Sequence, residues 1–186
     1  KMQRDHIDCA LRAREAGFDL LTIFCGLATV PNYFLYPWNN RRTDQYGGPL
    51  ENRARFLLEV VRRIRAESRK GFAVSVKLNS ADFQKGGFSD DESAIVAKWL
   101  EEAGVDLIEI SGGNYEQPRM INFDRKDPLA NKRESTVKRE AYFLDFVPKL
   151  RAKVSIPVMV TGGFRTASAM ESALANDGVD MVGLGR

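Results

Sequence analysis

Glu102-Ala103-Gly104-Val105-Asp106 closes a helical stretch and hands the chain to the apolar run Leu107–Ile110. The phrase recurs as Glu15-Ala16-Gly17-Phe18-Asp19 before Leu20–Phe24, and as Asn176-Asp177-Gly178-Val179-Asp180 before Met181–Leu184. Glycine suits the left-handed residue just past a helix end, after which the chain turns into a strand. Two further joints do the same without the phrase. Gly71 leads into Ala73–Leu78, and Pro157 leads into Val158–Val160. These runs predict five buried strands separated by helix-length segments. Such alternation argues for a parallel α/β sheet with right-handed crossovers.

The first helix is expected from about Gln3 to Ala16. A second begins near Pro49, where Ala54, Leu57, Val61 and Ile64 lay an apolar stripe on one face. Ser89-Asp90-Asp91-Glu92 reads as a capping box opening the helix that carries Ile95, Val96, Trp99 and Leu100. A fourth is expected from about Arg139 to Lys153, kinked or split at Pro148, and a short fifth from Thr166 to Ala175. The segments 25–48, 79–89 and 111–138 all follow strands, whereas the helix-to-strand joints are short. That asymmetry belongs to a (β/α)8 TIM-type barrel with its working face at the strand C-terminal ends.

About five of the eight βα units of such a barrel are legible. The chain has 186 residues, against the roughly 250 of a closed barrel. It starts at Lys1, in or just before a helix, and stops at Arg186 directly after a strand. Residues 1–186 therefore read as one partial barrel domain, a piece of something longer.

Composition narrows the function classes. The chain is 44% hydrophobic and 28% charged, with a net charge of +3 spread among both signs, which gives little warrant for nucleic-acid binding. No apolar run approaches the roughly 18 residues of a membrane span. Cys9 and Cys25 make no disulfide framework and suit a reducing compartment, so a cytoplasmic protein is expected. Each cysteine reads as a small buried or semi-buried side chain. His6 is the only histidine, which argues against a histidine-rich metal site or a histidine-based triad; no metal is expected.

Candidate binding groups gather at strand ends. Thr161-Gly162-Gly163-Phe164-Arg165-Thr166 joins a strand to a helix, and Gly183-Leu184-Gly185-Arg186 follows the next strand. Glycines there let backbone N–H groups approach a phosphate, a helix N-terminus favours its charge, and a guanidinium can grip it. Lys77 stands where a buried strand would carry an apolar residue. It is either a cation for an anionic ligand or a lysine reaching out at the strand end. Asn40-Arg41-Arg42-Thr43-Asp44-Gln45-Tyr46-Gly47-Gly48 reads as a self-locking scaffold loop, with Asp44 available to Arg41 or Arg42. Arg62, Arg63, Arg65, Arg69 and Lys70 read as a solvated basic face. Asp82 and Glu109 are not obviously a carboxylate pair, and Tyr115 and Tyr142 read as packing aromatics before proton donors.

These stretches resemble a known family. Asn40–Gly48 continuing through Glu51-Asn52-Arg53-Ala54-Arg55-Phe56, together with Val76-Lys77-Leu78-Asn79-Ser80-Ala81-Asp82-Phe83 and Glu109-Ile110-Ser111-Gly112-Gly113-Asn114-Tyr115-Glu116-Gln117-Pro118, is similar to the Old Yellow Enzyme family of FMN-binding barrel oxidoreductases. The subgroup it resembles is the bacterial and fungal NADH:flavin oxidoreductases, and Val160–Phe164 and Gly183–Arg186 are similar to the family's phosphate loops. The resemblance implies that NADH or NADPH reduces bound FMN, which passes hydride to an electrophilic small-molecule acceptor. Lys77 stands where the family places a cation against the flavin N1 and O2 edge. Gly162, Gly163, Gly185 and Arg186 would hold the FMN phosphate.

One stretch departs from the pattern. The family's His-x-x-His or His-x-x-Asn on the first strand present here, with a Tyr two residues later, corresponds to Phe24, Leu27 and Thr29. The groups that polarise and protonate the acceptor are thus replaced. By the same resemblance, three strands would precede Lys1 and a final helix would follow Arg186. Two other readings stand beside the oxidoreductase: a non-catalytic barrel remnant or pairing partner, and a sugar-phosphate barrel enzyme, against which the 40–56 signature argues.

Overall fold

The computed structural model describes residues 1–27, 29–68, 70–112 and 143–184. Gly104 stands at φ +96° and Gly178 at φ +71°, so the recurring phrases do end helices in the left-handed region. The elements run α1 (Met2–Glu15), β1 (Leu20–Cys25), α2 (Val30–Leu35), α3 (Leu50–Glu67), β2 (Ala73–Asn79), α4 (Asp90–Glu102), β3 (Leu107–Ser111), a 3₁₀ turn (Leu144–Phe146), α5 (Val147–Arg151), β4 (Val158–Thr161), α6 (Ala167–Asn176) and β5 (Met181–Gly183). The five strands form one parallel sheet in the order β1-β2-β3-β4-β5. Consecutive parallel strands, each reached through a helix, are the construction of a (β/α)8 barrel, here incomplete.

Several helix starts have a local cause. Ser89 Oγ accepts from Glu92 N at 3.2 Å while Glu92 Oε2 accepts from Ser89 N at 3.1 Å, the reciprocal pair that opens α4. Thr166 caps α6 by accepting from Ala169 N at 3.3 Å. Pro148 lies in the first turn of α5, directly after the 3₁₀ turn, so the helical stretch is divided just before the proline and α5 itself is not kinked. The proline's missing N–H costs nothing there. Residues 139–142 of the expected helix lie outside the described residues. Helix α2 lies inside the 25–48 segment expected as a loop; its six residues leave too little periodicity to read, and Pro31 in its first turn is the one local signal.

Alternation along the strands divides the sheet into two faces. Ile23 and Cys25, Val74, Val76 and Leu78, Ile108 and Ile110, and Val158 and Val160 point one way. They form one buried cluster with Ile7, Leu57, Val61, Ile64, Val96, Leu100 and Leu150 of the helices. The opposite face carries Phe24, Lys77, Glu109, Met159 and Met181 in a single row across the register. One step further along the strands, Asn79 lies beside Ser111 and Thr161 beside Gly183.

Two arginines fasten the helices to the joints beneath them. Arg65 of α3 donates to Phe72 O at 2.7 Å, to Gly104 O and to the Asp106 carboxylate. Asp106 also accepts from Val74 N at 2.8 Å. Two βα units later the set repeats. Arg151 of α5 donates to Ile156 O at 2.8 Å, to Gly178 O at 2.6 Å and to Asp180, which accepts from Val158 N at 2.8 Å. Arg65 is therefore a clamp and not part of a solvated basic face; Arg62, Arg63 and Lys70 are exposed, and Arg69 lies outside the described residues. Cys9 is likewise exposed rather than buried, whereas Cys25 is buried. Cys9 falls on the outer side of α1, whose inward face is taken by Ile7 and Ala10.

The 40–56 signature is a brace. Asn40 Nδ2 donates to Phe34 O at 2.6 Å and Tyr46 O at 2.7 Å, and Asp44 pairs with Arg42 while accepting from Tyr46 N at 3.0 Å. Arg53 is buried and donates to Gly48 O at 3.1 Å, to Leu35 O at 2.5 Å and to Glu92 of the next unit. Removing that guanidinium leaves two carbonyls and one carboxylate short of a partner. Arg53→Ala should therefore lower unfolding stability by about 2–4 kcal/mol, read as a drop in urea midpoint at unchanged m-value.

Candidate active site

Parallel strands deliver all their C-terminal ends to one side of the sheet, and the loops after β1, β2 and β4 open there. Lys77 projects from β2 within the row that also carries Phe24, Glu109, Met159 and Met181. Its Nζ lies 2.7 Å from Glu109 Oε1 on the neighbouring strand and 5.7 Å from the centroid of the Phe24 ring on the other side. Neither arm of this arrangement was read from the sequence. The signal for Glu109 was present, a single carboxylate between Ile108 and Ile110 in an otherwise apolar strand.

Above this row the groups are polar and buried. Asn79 Nδ2 donates to Asp82 Oδ1 at 2.7 Å, and Ser93 Oγ donates to Asn79 O at 2.8 Å. Asp82 closes the loop that follows β2: its N–H donates to Phe88 O at 2.9 Å and its Oδ2 accepts from Phe88 N at 2.7 Å. Gln84 of that loop accepts from Tyr36 Oη at 2.6 Å, tying it to the end of α2. Asp82 and Glu109 thus have separate partners and separate tasks. Asn79 Oδ1, Ser111 Oγ, Thr161 Oγ1 and Ser75 Oγ are buried with no hydrogen-bond partner among the described residues. All four belong to the same face as Lys77. Unpartnered buried polar atoms are uncommon in a finished core and are natural contacts for a ligand.

The loop after β1 is built differently. Thr29 Oγ1 donates to Phe24 O at 2.8 Å and Thr29 N donates to Gly26 O at 3.1 Å, so the threonine closes the turn into α2. Leu27 takes φ +44°, unusual for a side chain of its size. The Phe24 ring packs on bare backbone, with its Cε2 3.0 Å from where a Cβ would stand on Gly26.

After β4, Gly162 takes φ +108° and has nothing within 4 Å of the position a Cβ would occupy. A ligand can therefore approach this backbone closely. Its N–H donates to Gly183 O at a long 3.4 Å, and the capped start of α6 follows at Thr166. Gly163 also has a positive φ, at +83°. Gly183 itself is required for space, because a Cβ there would run into Thr161 Oγ1 and Met159 Cε. Gly185 and Arg186, with Tyr115, Tyr142 and the stretch Gly113–Pro118, lie outside the described residues.

Two groups in this region have displaced pKa values. Burial pushes the Asp82 carboxyl up to about 6, outweighing the hydrogen bonds from Phe88 N and Asn79 that oppose the shift. Burial, helped by the charge of Asp82, raises the Cys25 thiol far above its ordinary value, which makes it a poor nucleophile. No group of three or more potential metal ligands occurs among the described residues, and none of their helices is long and apolar enough to cross a membrane.

A parallel βα sheet with a strand-borne cation, unpartnered polar atoms and an open glycine toward its strand C-terminal ends has the architecture of the TIM-barrel class, in which that end takes the ligand. The sequence profile of the NADH:flavin oxidoreductase / NADH oxidase family matches residues 1–186, and the chain belongs to that family. It is 39% identical over 175 residues to the NADH-dependent flavin oxidoreductase iliE of Neonectria sp., covering 94% of this chain and 23% of the relative. It is 35% identical over 190 residues to the NADH-dependent flavin oxidoreductase iccE of Talaromyces variabilis, covering 100% and 44%. The solved structure of 2-naphthoyl-CoA reductase with 2-naphthoyl-CoA superposes with a TM-score of 0.85 at 28% identity, covering 100% of this chain and 26% of that one. The chain spans less than half the length of these relatives.

The Asp82 geometry carries a pH signature. The folded chain keeps the Asp82 proton up to about pH 6, whereas an unfolded aspartate releases it near pH 4 (about 3.9). The folded state therefore binds the extra proton between those values, and this contribution to stability is lost as pH rises through the window. Glu101 acts in the opposite sense at lower pH. Lys98 first, and then Ser155, hold its carboxyl down at about 2, so its contribution is lost as pH falls toward that value. Urea denaturation from about pH 4 to 7.5 should show the native chain losing stability relative to Asp82→Asn up to about pH 6.5 and holding level above. A flat difference across the whole range would show that Asp82 titrates normally.

Proposed function

We propose that the chain contributes an FMN site to NAD(P)H-driven hydride transfer toward an electrophilic small-molecule acceptor. The observation that carries this reading is Lys77, the one cation in the described strands, standing among unpartnered buried polar atoms on the face where a flat ligand would lie. FMN, when bound, accepts a hydride from the nicotinamide and gives it up to the acceptor.

The residues fit such a group. Lys77 would meet the edge of the ring that becomes negative on reduction, where a fixed cation acts without reorganising. Asn79 Oδ1 and Ser111 Oγ, having no other partner, are suited to a ring's polar edge. The open backbone at Gly162, with Gly163 beside it and the start of α6, would receive the phosphate, and Gly185 and Arg186 would complete that site. Phe24 and Leu27 offer no hydrogen bond to an acceptor oxygen, and the Thr29 hydroxyl is already given to Phe24 O. Acceptor polarisation at these positions is therefore absent, and this loop favours a second reading in which the chain binds flavin without turnover, as a pairing partner.

Incubation with FMN followed by desalting separates the possibilities. The chain should retain a flavin absorption spectrum, and Lys77→Met should weaken FMN binding by about tenfold, near 1.4 kcal/mol. A folded but colourless protein would overturn the flavin reading. Replacing Phe24 and Leu27 together by histidine should raise kcat/KM for an α,β-unsaturated carbonyl by at least about tenfold, since a well-aimed donor to a developing oxyanion is worth that or more. No gain with flavin bound would mean that acceptors dock elsewhere.

A further inference from the structure

Lys77 and Glu109 are the only charged residues in the five described strands, and they are register partners. Glu109 lies in the middle strand of the sheet, flanked by Ile108 and Ile110, and its side chain is only 13% exposed. A carboxylate in such a place is unfavourable unless it is paired. Its pairing with Lys77 Nζ at 2.7 Å is direct. On the opposite side of the ammonium, Phe24 presents its ring face at 5.7 Å. Lysine is a long and flexible side chain, and here it is held laterally from both neighbouring strands.

That arrangement has two consequences for a ligand. An ammonium has three donors, and Glu109 takes one, so its attachment to β3 fixes the direction in which the others are offered. The pair is also neutral overall, which makes it a weaker attractor of negative charge than lysine alone. No other charge in the row offsets this, because Phe24, Met159 and Met181 are all uncharged.

We propose that Glu109 is a positioning residue that fixes Lys77 and tempers its charge. The pair, not the lysine alone, then sets how much more tightly the site holds reduced than oxidised FMN. This inference rests on the flavin reading above.

The test is the reduction potential of FMN on the chain, with the dissociation constant of the oxidised form, for native protein, Glu109→Gln, Lys77→Met and the double variant. Glu109→Gln keeps the shape and removes the charge. It should favour the reduced form by about tenfold, a rise of about 30 mV for a two-electron couple. In the Lys77→Met background the same change should alter that ratio by less than about threefold, because the effect runs through the lysine. Glu109→Asp keeps the charge but withdraws it by one methylene. It should hold the ratio within about twofold while weakening the binding of both forms, and it serves in place of Glu109→Gln if that variant does not fold.

Bound FMN with an unmoved potential in Glu109→Gln would overturn the proposal and leave the flavin reading standing. So would an equal shift with and without Lys77, which would mean that Glu109 acts by its own field. A native chain that holds no FMN would remove the flavin reading, and the positioning role with it.

Discussion

Successive strands pair in parallel and in sequence order, and most of what this chain does follows from that constraint. A parallel neighbour can be reached only by returning the chain to the starting end of the sheet, and the helices make that journey. The returns that the structure describes lay apolar stripes on one face of the sheet, where Val74, Val76, Ile108, Ile110, Val158 and Val160 are buried. The other face is then free to carry groups that a core would reject. Lysine, glutamate, asparagine and serine all appear there, in rows set by register.

Much of this was legible in the sequence because the signals were local. A glycine past a helix end, a serine three residues before a glutamate, and apolar runs of three to six residues each act over one turn or one strand. They located the five strands and most of the described helices within a residue or two. The contacts that tie one unit to the next were not legible in the same way. Arg65 looks like its neighbours Arg62 and Arg63 in a linear reading. Only the fold brings it to Gly104 and Asp106, some forty positions on.

The same limit explains the candidate site. Lys77 stood out as a cation in an apolar strand, but its partner became visible only once the register of β2 and β3 was known. Asp82 looked like one more loop carboxylate, and its burial comes from the loop folding back so that Phe88 hydrogen-bonds to it twice. In the 24–29 stretch, family resemblance marks Phe24, Leu27 and Thr29 as departures, and the structure adds what they do. Phenylalanine shields a charge, threonine closes a turn, and leucine occupies a strained corner between them.

The two arginine clamps lie at the strand N-terminal ends, and each is complete without any residue of the mouth. Arg65 holds Phe72, Gly104 and Asp106; Arg151 holds Ile156, Gly178 and Asp180. These two fastenings therefore stand at the end of the sheet away from the candidate site, whereas the Arg53 brace stands on the same side as it. Substitutions at the mouth that spare the Arg53 brace leave both clamps intact, so those positions can vary without unfolding the chain. A position such as Phe24 or Leu27 can then change with little effect on what holds the strands in register.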